Sequence, residues 1–130
     1  MYVTDTHSLV YYSGQQFSRL GRNARRLFNS ADENETLIYI PTVVLWEVTQ
    51  RIAGGALALP MPFDRWCRAF DSTTGFLIAP LEWQDIDQAR TFSFKDPFDR
   101  LIAGTALRLG VPLITKNREI CDSGLVETTW

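Results

Sequence analysis

Four acidic side chains lie on segments of this chain that are otherwise apolar. Asp5 ends an apolar opening segment, and Glu47 lies within an apolar run with a helical pattern. Asp96 and Asp99 begin a second apolar run. A carboxylate on such a segment is costly to bury unless it is compensated, and a divalent cation is one such compensator. The four acids therefore indicate a metal-dependent site.

The donor types select the class of metal ion. Carboxylates without a cluster of His or Cys suit a hard cation such as Mg²⁺ or Mn²⁺. His7 is the only histidine and fits better as a helix-start or packing residue, and the two cysteines are far apart, so zinc is disfavoured. Mg²⁺ held by few carboxylates keeps waters and positions open to phosphate oxygens. This arrangement favours phosphodiester cleavage by a metal-activated water.

Each acid also has a structural interpretation. Asp96 precedes a proline, as a helix N-cap does, and Asp99 three residues later resembles a capping box. Asp5 could cap a short helix that follows it, and Glu47 could pair with Arg51 four residues later. No single acid separates the two interpretations, but the set of four favours the metal site.

Basic residues form a second candidate group. Arg19, Arg22 and Arg26 follow i, i+3, i+7 spacing and predict a basic stripe on one helix face. A solvated face without a ligand is the alternative. Other basic residues flank the acidic segments and the expected site. The candidate contacts to a phosphate backbone are Arg19, Arg22, Arg26, Lys95, Arg100 and Lys116.

Short apolar runs alternate with helical patterns along the chain. The runs predict strands at Tyr2–Thr4, Leu37–Ile40, Phe76–Ala79, Val111–Thr115 and Leu125–Thr128. The helical patterns lie at Thr6–Tyr12, Phe17–Ala31, Val43–Ile52, Pro62–Phe70, Trp83–Phe92 and Pro97–Leu109. Apolar strands without alternation are typical of a parallel sheet buried on both faces. The predicted fold is a three-layer α/β/α sandwich with a central parallel sheet of four or five strands.

This fold would bring the acids together. Ligands of an open parallel sheet bind beyond the carboxyl ends of its strands. Asp5 ends the first predicted strand, and Glu47 lies in the helix after the second. Asp99 lies in the first turn of the helix before the fourth strand, and Asn117 follows that strand. We expect these side chains to meet at one rim of the sheet.

Length and composition predict one domain over residues 1–130. Hydrophobic residues make up 45% of the chain, which is enough for a substantial core. The net charge of −2 supplies no bulk basic field, so a polyanion must be held by a local basic patch or by metal ions. Cys67 and Cys121 predict two reduced thiols rather than a disulfide framework. Without a signal peptide or a membrane-length apolar run, the expected location is the cytoplasm.

Four segments of the sequence resemble the motifs of PIN domains, specifically the VapC-type toxins of bacterial and archaeal toxin–antitoxin pairs. They run in the family's order and span nearly the whole chain, with the Asp-Pro-Phe-Asp-Arg segment the most specific. The segments are Val3–His7, Leu45–Val48, Lys95–Ala103 and Leu113–Asn117. The resemblance implies an α/β/α fold and Mg²⁺- or Mn²⁺-dependent endoribonuclease activity on RNA. It also implies a homodimer and inhibition by an antitoxin protein whose tail fills the catalytic groove.

Position by position, Asp5, Glu47 and Asp99 match the first three acids of the family, and the resemblance implies that they bind the metal. Asp96 matches an additional acid of the subgroup with the Asp-Pro-Phe-Asp segment. The chain departs from the family at Asn117, where an Asp is frequent. The amide oxygen of Asn can bind a metal-bound water but adds no negative charge, which puts the second metal site in question.

Two other functions remain open on the sequence. A catalytically weak or inactive PIN-like module that binds RNA or protein would be consistent with Asn117 and the acidic net charge. A phospho-acceptor domain of the receiver kind also carries acids at strand ends, but it needs an acceptor Asp after the third strand, where this chain has Ala79–Leu81. Trp66 and Phe70 are candidates for exposed aromatic residues in a dimer contact.

Overall fold

A computed structural model describes all residues from 1 to 130. Its strands are β1 (Tyr2–Thr4), β2 (Ile38–Pro41), β3 (Phe76–Ala79), β4 (Leu113–Ile114) and β5 (Thr128–Thr129). Its α-helices are α1 (Thr6–Ser13), α2 (Arg22–Asp32), α3 (Thr42–Ala53), α4 (Phe63–Asp71), α5 (Trp83–Ala89), α6 (Pro97–Leu109) and α7 (Arg118–Ser123). A single 3₁₀ turn, Phe17–Arg19, precedes α2.

The five strands form one parallel sheet in the order β3-β2-β1-β4-β5. Tyr2 pairs with Ile38 on one side of β1, and Thr4 pairs with Ile114 on the other side. β1 is therefore central, with β2 and then β3 added on one side of it, and β4 and then β5 added on the other side. The point between β1 and β4 where the direction changes opens a crevice at the carboxyl ends of the strands. The α/β/α fold predicted from the sequence is confirmed.

Local signals explain why most elements begin and end where they do. Asp96 caps α6 through a hydrogen bond from the Phe98 amide at 2.8 Å, and Pro97 occupies the first position of that helix. Gly110 ends α6 in the left-handed conformation, with φ of 65°. β3 coincides with its predicted range, since Pro80 follows it directly.

The predicted helix Phe17–Ala31 is wrong at its first turns. The chain leaves the 3₁₀ turn at Leu20 in an extended conformation, and α2 begins only after Gly21. Because Gly21 has an extended backbone at the N-cap position, the helical pattern cannot run through it. Arg19 therefore lies outside the helix that carries Arg22 and Arg26, and the three do not form one stripe.

Smaller differences occur toward the end of the chain. β4 and β5 are shorter than predicted, and β5 starts at Thr128 rather than Leu125. The sequence prediction missed α7, which is only six residues long and ends at Gly124 with φ of 64°. Gly124 turns the chain there, so the backbone reaches β4 only at Thr128, opposite Leu113. α5 ends at Ala89 rather than Phe92.

Aromatic side chains fill one face of the sheet. Tyr12 of α1 stacks on Phe28 of α2 with ring centroids 4.5 Å apart, and Phe28 in turn faces Phe76 of β3. Phe70 packs edge-on against Phe76 at 5.2 Å, and Trp66 packs edge-on against Phe70. Trp66 and Phe70 are therefore buried in the core, and the prediction that they are exposed is wrong. α4 turns both rings inward because they lie four residues apart on the same helix face.

A buried ion pair joins α5 to the C-terminal end of α6. Asp85 is fully buried and accepts hydrogen bonds from the Arg108 guanidinium and, at 3.2 Å, from the Thr105 hydroxyl. Gly104 permits the close approach of the two helices, since a Cβ there would lie 2.5 Å from the carbonyl oxygen of Asp85. The ion pair and the close approach hold α6 against α5.

Both cysteines are free thiols, as the sequence predicted. None of the seven α-helices has the length and apolar composition of a membrane span.

Replacing Arg108 by Leu should lower the free energy of unfolding by about 3–5 kcal/mol, because it leaves the buried Asp85 carboxylate unpaired. Urea denaturation followed by circular dichroism measures the change. Arg90→Leu is the matched control, since Arg90 pairs with Asp87 at an exposed position and its loss should cost less than about 1 kcal/mol. Equal effects of the two substitutions would contradict the stabilising role of the Asp85–Arg108 ion pair.

Candidate active site

A cavity of about 370 Å³ opens at the carboxyl ends of β1 and β4. It contains all four acids singled out in the sequence, the two cations Arg51 and Lys116, and Asn117. We call it the acidic cavity. Its lining residues are Asp5, His7, Tyr11, Glu47, Arg51, Asp96, Asp99, Lys116 and Asn117.

Three helices begin at the acidic cavity, and their N-caps come from its lining. Asp5 caps α1, Asp96 caps α6, and Asn117 caps α7. The N-terminus of a helix carries partial positive charge on unpaired amides, which favours nearby anions. The structural interpretation of Asp5 and Asp96 as caps is therefore confirmed, and capping does not remove either residue from the cavity.

Asp5 is held rigidly at the end of β1. Its backbone amide donates to the carbonyl oxygen of Ile114 at 3.2 Å, which ties it to β4 across the sheet. Its Oδ1 atom accepts hydrogen bonds from the amide and the hydroxyl of Ser8, at 2.8 and 2.7 Å. No protein donor reaches Oδ2. One oxygen of this buried carboxylate is thus fixed and the other is without a protein partner.

Glu47 lies on α3 and is buried, and protein donors hold both of its oxygens. The Thr6 hydroxyl donates to Oε2, and the Arg51 guanidinium donates to Oε1 through Nε at 3.2 Å and Nη2 at 2.8 Å. The pairing of Glu47 with Arg51 that the sequence spacing suggested is therefore present. The link to Thr6 joins α3 to α1 across the cavity.

Asp99 faces Asn117 across the cavity. The Asn117 amide nitrogen donates to Oδ2 of Asp99 at 2.8 Å, while the amide oxygen of the same side chain caps α7 by accepting from the Ile120 amide. Oδ1 of Asp99 has no protein donor. Asp96 repeats this arrangement, because its Oδ1 accepts from the Phe98 amide and its Oδ2 has no donor.

Burial and the neighbouring negative charges both act on the Asp99 carboxyl. Its pKa is raised from 3.8 to about 7, first by burial and then by the carboxylates of Asp96, Glu47, Asp5 and Glu119. Holding this group ionised at neutral pH therefore costs free energy in the folded protein. A cation placed among these oxygens would remove that cost.

The donor set fits a hard divalent ion that keeps part of its water shell. Asp5, Asp96 and Asp99 each offer one carboxylate oxygen without a protein donor, and oxygen is the ligand that Mg²⁺ and Mn²⁺ prefer. No three acidic, His or Cys side chains converge as a ready ligand set for one ion. An ion held directly by only one or two of these carboxylates would retain several waters, as Mg²⁺ commonly does.

Aromatic rings lie beside two basic residues, Lys116 of the acidic cavity and Arg19 of a neighbouring cavity. The Lys116 Nζ atom lies 5.2 Å from the ring centroids of both Tyr11 and Trp130, and the Arg19 guanidinium lies 4.4 Å from the Tyr11 centroid. Neither cation forms a salt bridge. Trp130 packs directly on Gly21, where a Cβ would lie 2.3 Å from the indole.

The other predicted phosphate contacts do not line the acidic cavity. Arg22 and Arg26 are exposed on α2 and do not line the acidic cavity. Arg100 donates to the carbonyl oxygens of Phe94 and Lys95, so it holds the loop before α6. Lys95 instead lines a neighbouring cavity beside Asp96.

Sequence reasoning missed three residues of the site, Thr6, Tyr11 and Arg51. The Arg51 spacing was read only as a helix pair, because nothing in a linear pattern shows that its guanidinium reaches a cavity. Thr6 and Tyr11 carry no charge that would single them out. Their positions on the first two turns of α1, directly after Asp5, are the only available signal.

Comparisons with known proteins agree with this fold. The family model described as PIN domain matches residues 2–124. Similar solved structures include VapBC2 from Rickettsia felis bound to a promoter DNA fragment, at a TM-score of 0.69 and 16% identity over 99% of this chain and 98% of that chain. DNA-bound VapBC from Salmonella typhimurium gives a TM-score of 0.66 and 18% identity over 98% of this chain and 96% of that chain.

A toxin–antitoxin complex from Klebsiella pneumoniae gives a TM-score of 0.63 and 18% identity over 100% of this chain and 97% of that chain. At these identities the solved structures establish the fold alone. Comparison with curated protein sequences gives no significant match.

The raised pKa of Asp99 predicts a pH-dependent loss of stability in protein kept free of divalent ions with a chelator. Below about pH 4 the carboxyl is protonated in both the folded and the unfolded state. As the pH rises from about 4 to 7, the unfolded state releases this proton before the folded state does. The contribution of the Asp99 carboxyl to the free energy of unfolding therefore falls over this range and is lost by about pH 7. Asp99→Asn should therefore be more stable than the wild type at pH 8, by about 1–2 kcal/mol for a partly exposed group.

Urea denaturation of the two proteins at pH 4.5 and pH 8 measures this difference, which should shrink at the lower pH. Asp64→Asn serves as the control. Asp64 is exposed on α4, so its substitution should change the free energy of unfolding by the same amount at pH 4.5 and at pH 8. An Asp99→Asn protein less stable than the wild type at pH 8 would disprove the electrostatic explanation.

Proposed function

Because the chain belongs to the PIN domain family, we propose that it is a Mg²⁺- or Mn²⁺-dependent endoribonuclease and the toxin of a toxin–antitoxin pair. The observation that carries the proposal is the convergence of Asp5, Glu47, Asp96 and Asp99 on one cavity at the switch point of the sheet. The raised pKa of Asp99 also supports the proposal, since a bound cation would lower the free-energy cost of ionising this carboxyl.

Each acid has a role in this proposal. Asp5 and Asp99 would hold the ion through the oxygens that no protein donor occupies. Glu47 and Asp96 would bind or orient the waters around it, and Asn117 would fix Asp99 and place the attacking water or a second ion. When bound, a divalent ion supplies a water of lowered pKa and neutralises charge that develops on the phosphate. Hydrogen bonds within the protein keep these carboxylates in place before substrate arrives.

The proposed partners are an RNA substrate, a cognate antitoxin and a second copy of the chain. One similar structure, from Klebsiella pneumoniae, is named a toxin–antitoxin complex, and two others are named VapBC complexes bound to DNA. Trp46 and Trp83 are well exposed, with Leu81 partly exposed, and they supply apolar surface for a protein contact. Thr42 accepts a hydrogen bond from the Leu81 amide, which brings the start of α3 beside this segment. We place this activity in the cytoplasm.

A PIN-like module that binds RNA or protein without cleaving it is the second candidate. It is favoured by Asn117, which contributes a neutral amide where many family members have an acid. A receiver domain is not supported, since β3 runs into Ala79 and Pro80 without an acceptor Asp. Incubation of the purified protein with structured RNA and Mn²⁺ separates the two PIN functions. Metal-dependent fragments support the nuclease, whereas bound but intact RNA supports the module.

Asp5→Asn and Asp99→Asn should each reduce Mn²⁺-dependent RNA cleavage by ~100-fold or more, because each removes a charge that holds the ion. Asn caps a helix as well as Asp does, so Asp5→Asn should keep its melting temperature. Gel analysis of RNA fragments and thermal denaturation measure the two properties, with Asp64→Asn as the exposed control. Full cleavage by either variant would refute the assigned roles.

Asn117→Asp tests the departure from the family pattern. The new carboxylate would face Oδ2 of Asp99 where an amide donor now lies at 2.8 Å. We expect a loss of about 1–3 kcal/mol in chelator at pH 8, because a hydrogen bond becomes a repulsion. Mn²⁺ should then raise the melting temperature of this variant more than that of the wild type. Exposed Asn23→Asp is the control, and equal Mn²⁺ responses of the three proteins would contradict the interpretation.

A further inference from the structure

Arg51 lies where three neighbouring cavities meet. It lines the acidic cavity, a second cavity of about 220 Å³ beside Arg19, and a third of about 580 Å³ beside Lys95. The second shares His7 and Tyr11 with the acidic cavity, and the third shares Glu47 and Asp96 with it. The three cavities therefore adjoin and form one groove, with the acids and Arg51 at its middle.

Two anchored contacts fix the direction of the Arg51 guanidinium. Nε and Nη2 both donate to Oε1 of Glu47, and Glu47 is itself held by the Thr6 hydroxyl. Glu47 is buried, whereas the Arg51 side chain remains about one third exposed. A guanidinium held on one edge by a buried acid presents its other edge in a fixed orientation.

The remaining edge of Arg51 has no partner in the protein. No acceptor lies within hydrogen-bonding distance of Nη1, and the only salt bridge of Arg51 is the one to Glu47. A phosphodiester that enters the groove carries negative charge into a cavity that already holds four acids. Arg51 is the cation positioned within that cavity on the side of α3.

We propose that Arg51 binds a non-bridging phosphate oxygen of the RNA strand and that Glu47 and Thr6 act as its positioning residues. This inference rests on the proposed function and adds a substrate contact to it. The strand would pass Arg19 at one end of the groove, Arg51 at the middle and Lys95 at the other end. The phosphate next to the acids is thereby paired with a cation that the protein itself supplies.

The alternative is that Arg51 only keeps Glu47 in place. The two roles predict opposite effects on ion binding. If Arg51 is only structural, Arg51→Gln releases Glu47, and both Mn²⁺ affinity and RNA affinity fall. If Arg51 binds phosphate, Arg51→Gln removes a positive charge from the ion's surroundings, and only RNA affinity falls.

The test compares wild type, Arg51→Gln, Arg51→Lys and Arg68→Gln. Arg68 pairs with Asp64 at the same i, i+4 spacing on an exposed helix face, so it is a matched control outside the groove. Fluorescence anisotropy with a labelled structured RNA in chelator measures RNA binding without cleavage. Isothermal titration with Mn²⁺ alone measures ion binding.

We expect Arg51→Gln to weaken RNA binding by about tenfold and to lower its salt dependence by about one released counterion. Arg51→Lys should be intermediate, because it keeps the charge but loses the planar geometry. Mn²⁺ affinity of Arg51→Gln should equal or exceed that of the wild type, and Arg68→Gln should match the wild type in both assays.

RNA affinity of Arg51→Gln equal to that of Arg68→Gln, or a parallel loss of Mn²⁺ affinity, would overturn the inference. Failure of the wild type to cleave RNA in Mn²⁺ would remove the proposed nuclease function instead. The two failures are therefore distinguishable.

Discussion

Concentrated negative charge at the switch point of the sheet is the constraint on which this site depends. Four carboxylates line one cavity, and the fold compensates them only in part. Three helix N-termini, the Asn117 amide and Arg51 reduce the repulsion, yet burial and the remaining repulsion still raise the pKa of Asp99 to about 7. The excess negative charge favours either a proton on Asp99 or a cation among these oxygens, and the second outcome is the basis of the proposed metal site.

The topology explains why distant acids can meet. Asp5 ends the central strand, and Asn117 follows the strand that pairs with it on the return side. α3 and α6 bring Glu47 and Asp99 to the same edge because each begins at that edge, α3 directly after β2 and α6 at its Asp96 cap. A parallel sheet with a central first strand therefore positions the side chains without any long connection.

The sequence predicted those parts of the fold that strong local signals delimit. Pro80 and Gly110 mark ends that the structure confirms, and the Asp96-Pro97 start of α6 is where the sequence placed it. The predicted start of the helix before β2 was wrong, because Gly21 interrupts a pattern that remains apolar on one face. α7 was missed because six residues are too few to show helical periodicity.

The site was predictable only as a set of acids. Their convergence follows from strand order, but their hydrogen-bond partners do not, since Thr6 and Arg51 meet Glu47 only after α1 and α3 have packed. The cations were the least predictable part. Arg22 and Arg26 had the clearest spacing and lie away from the cavity, whereas Lys116 is positioned by two aromatic rings from opposite ends of the chain.

α6 carries Asp99 in its first turn and Arg108 in its last, about 14 Å apart at 1.5 Å per residue. One end of α6 thus faces the acidic cavity, and the ion pair at the other end determines how firmly α6 packs against α5. Cellular proteases act on the unfolded fraction of a protein, which depends on that packing. Substitutions near Arg108 and Asp85 can therefore change how long each molecule survives while leaving the residues of the acidic cavity unchanged.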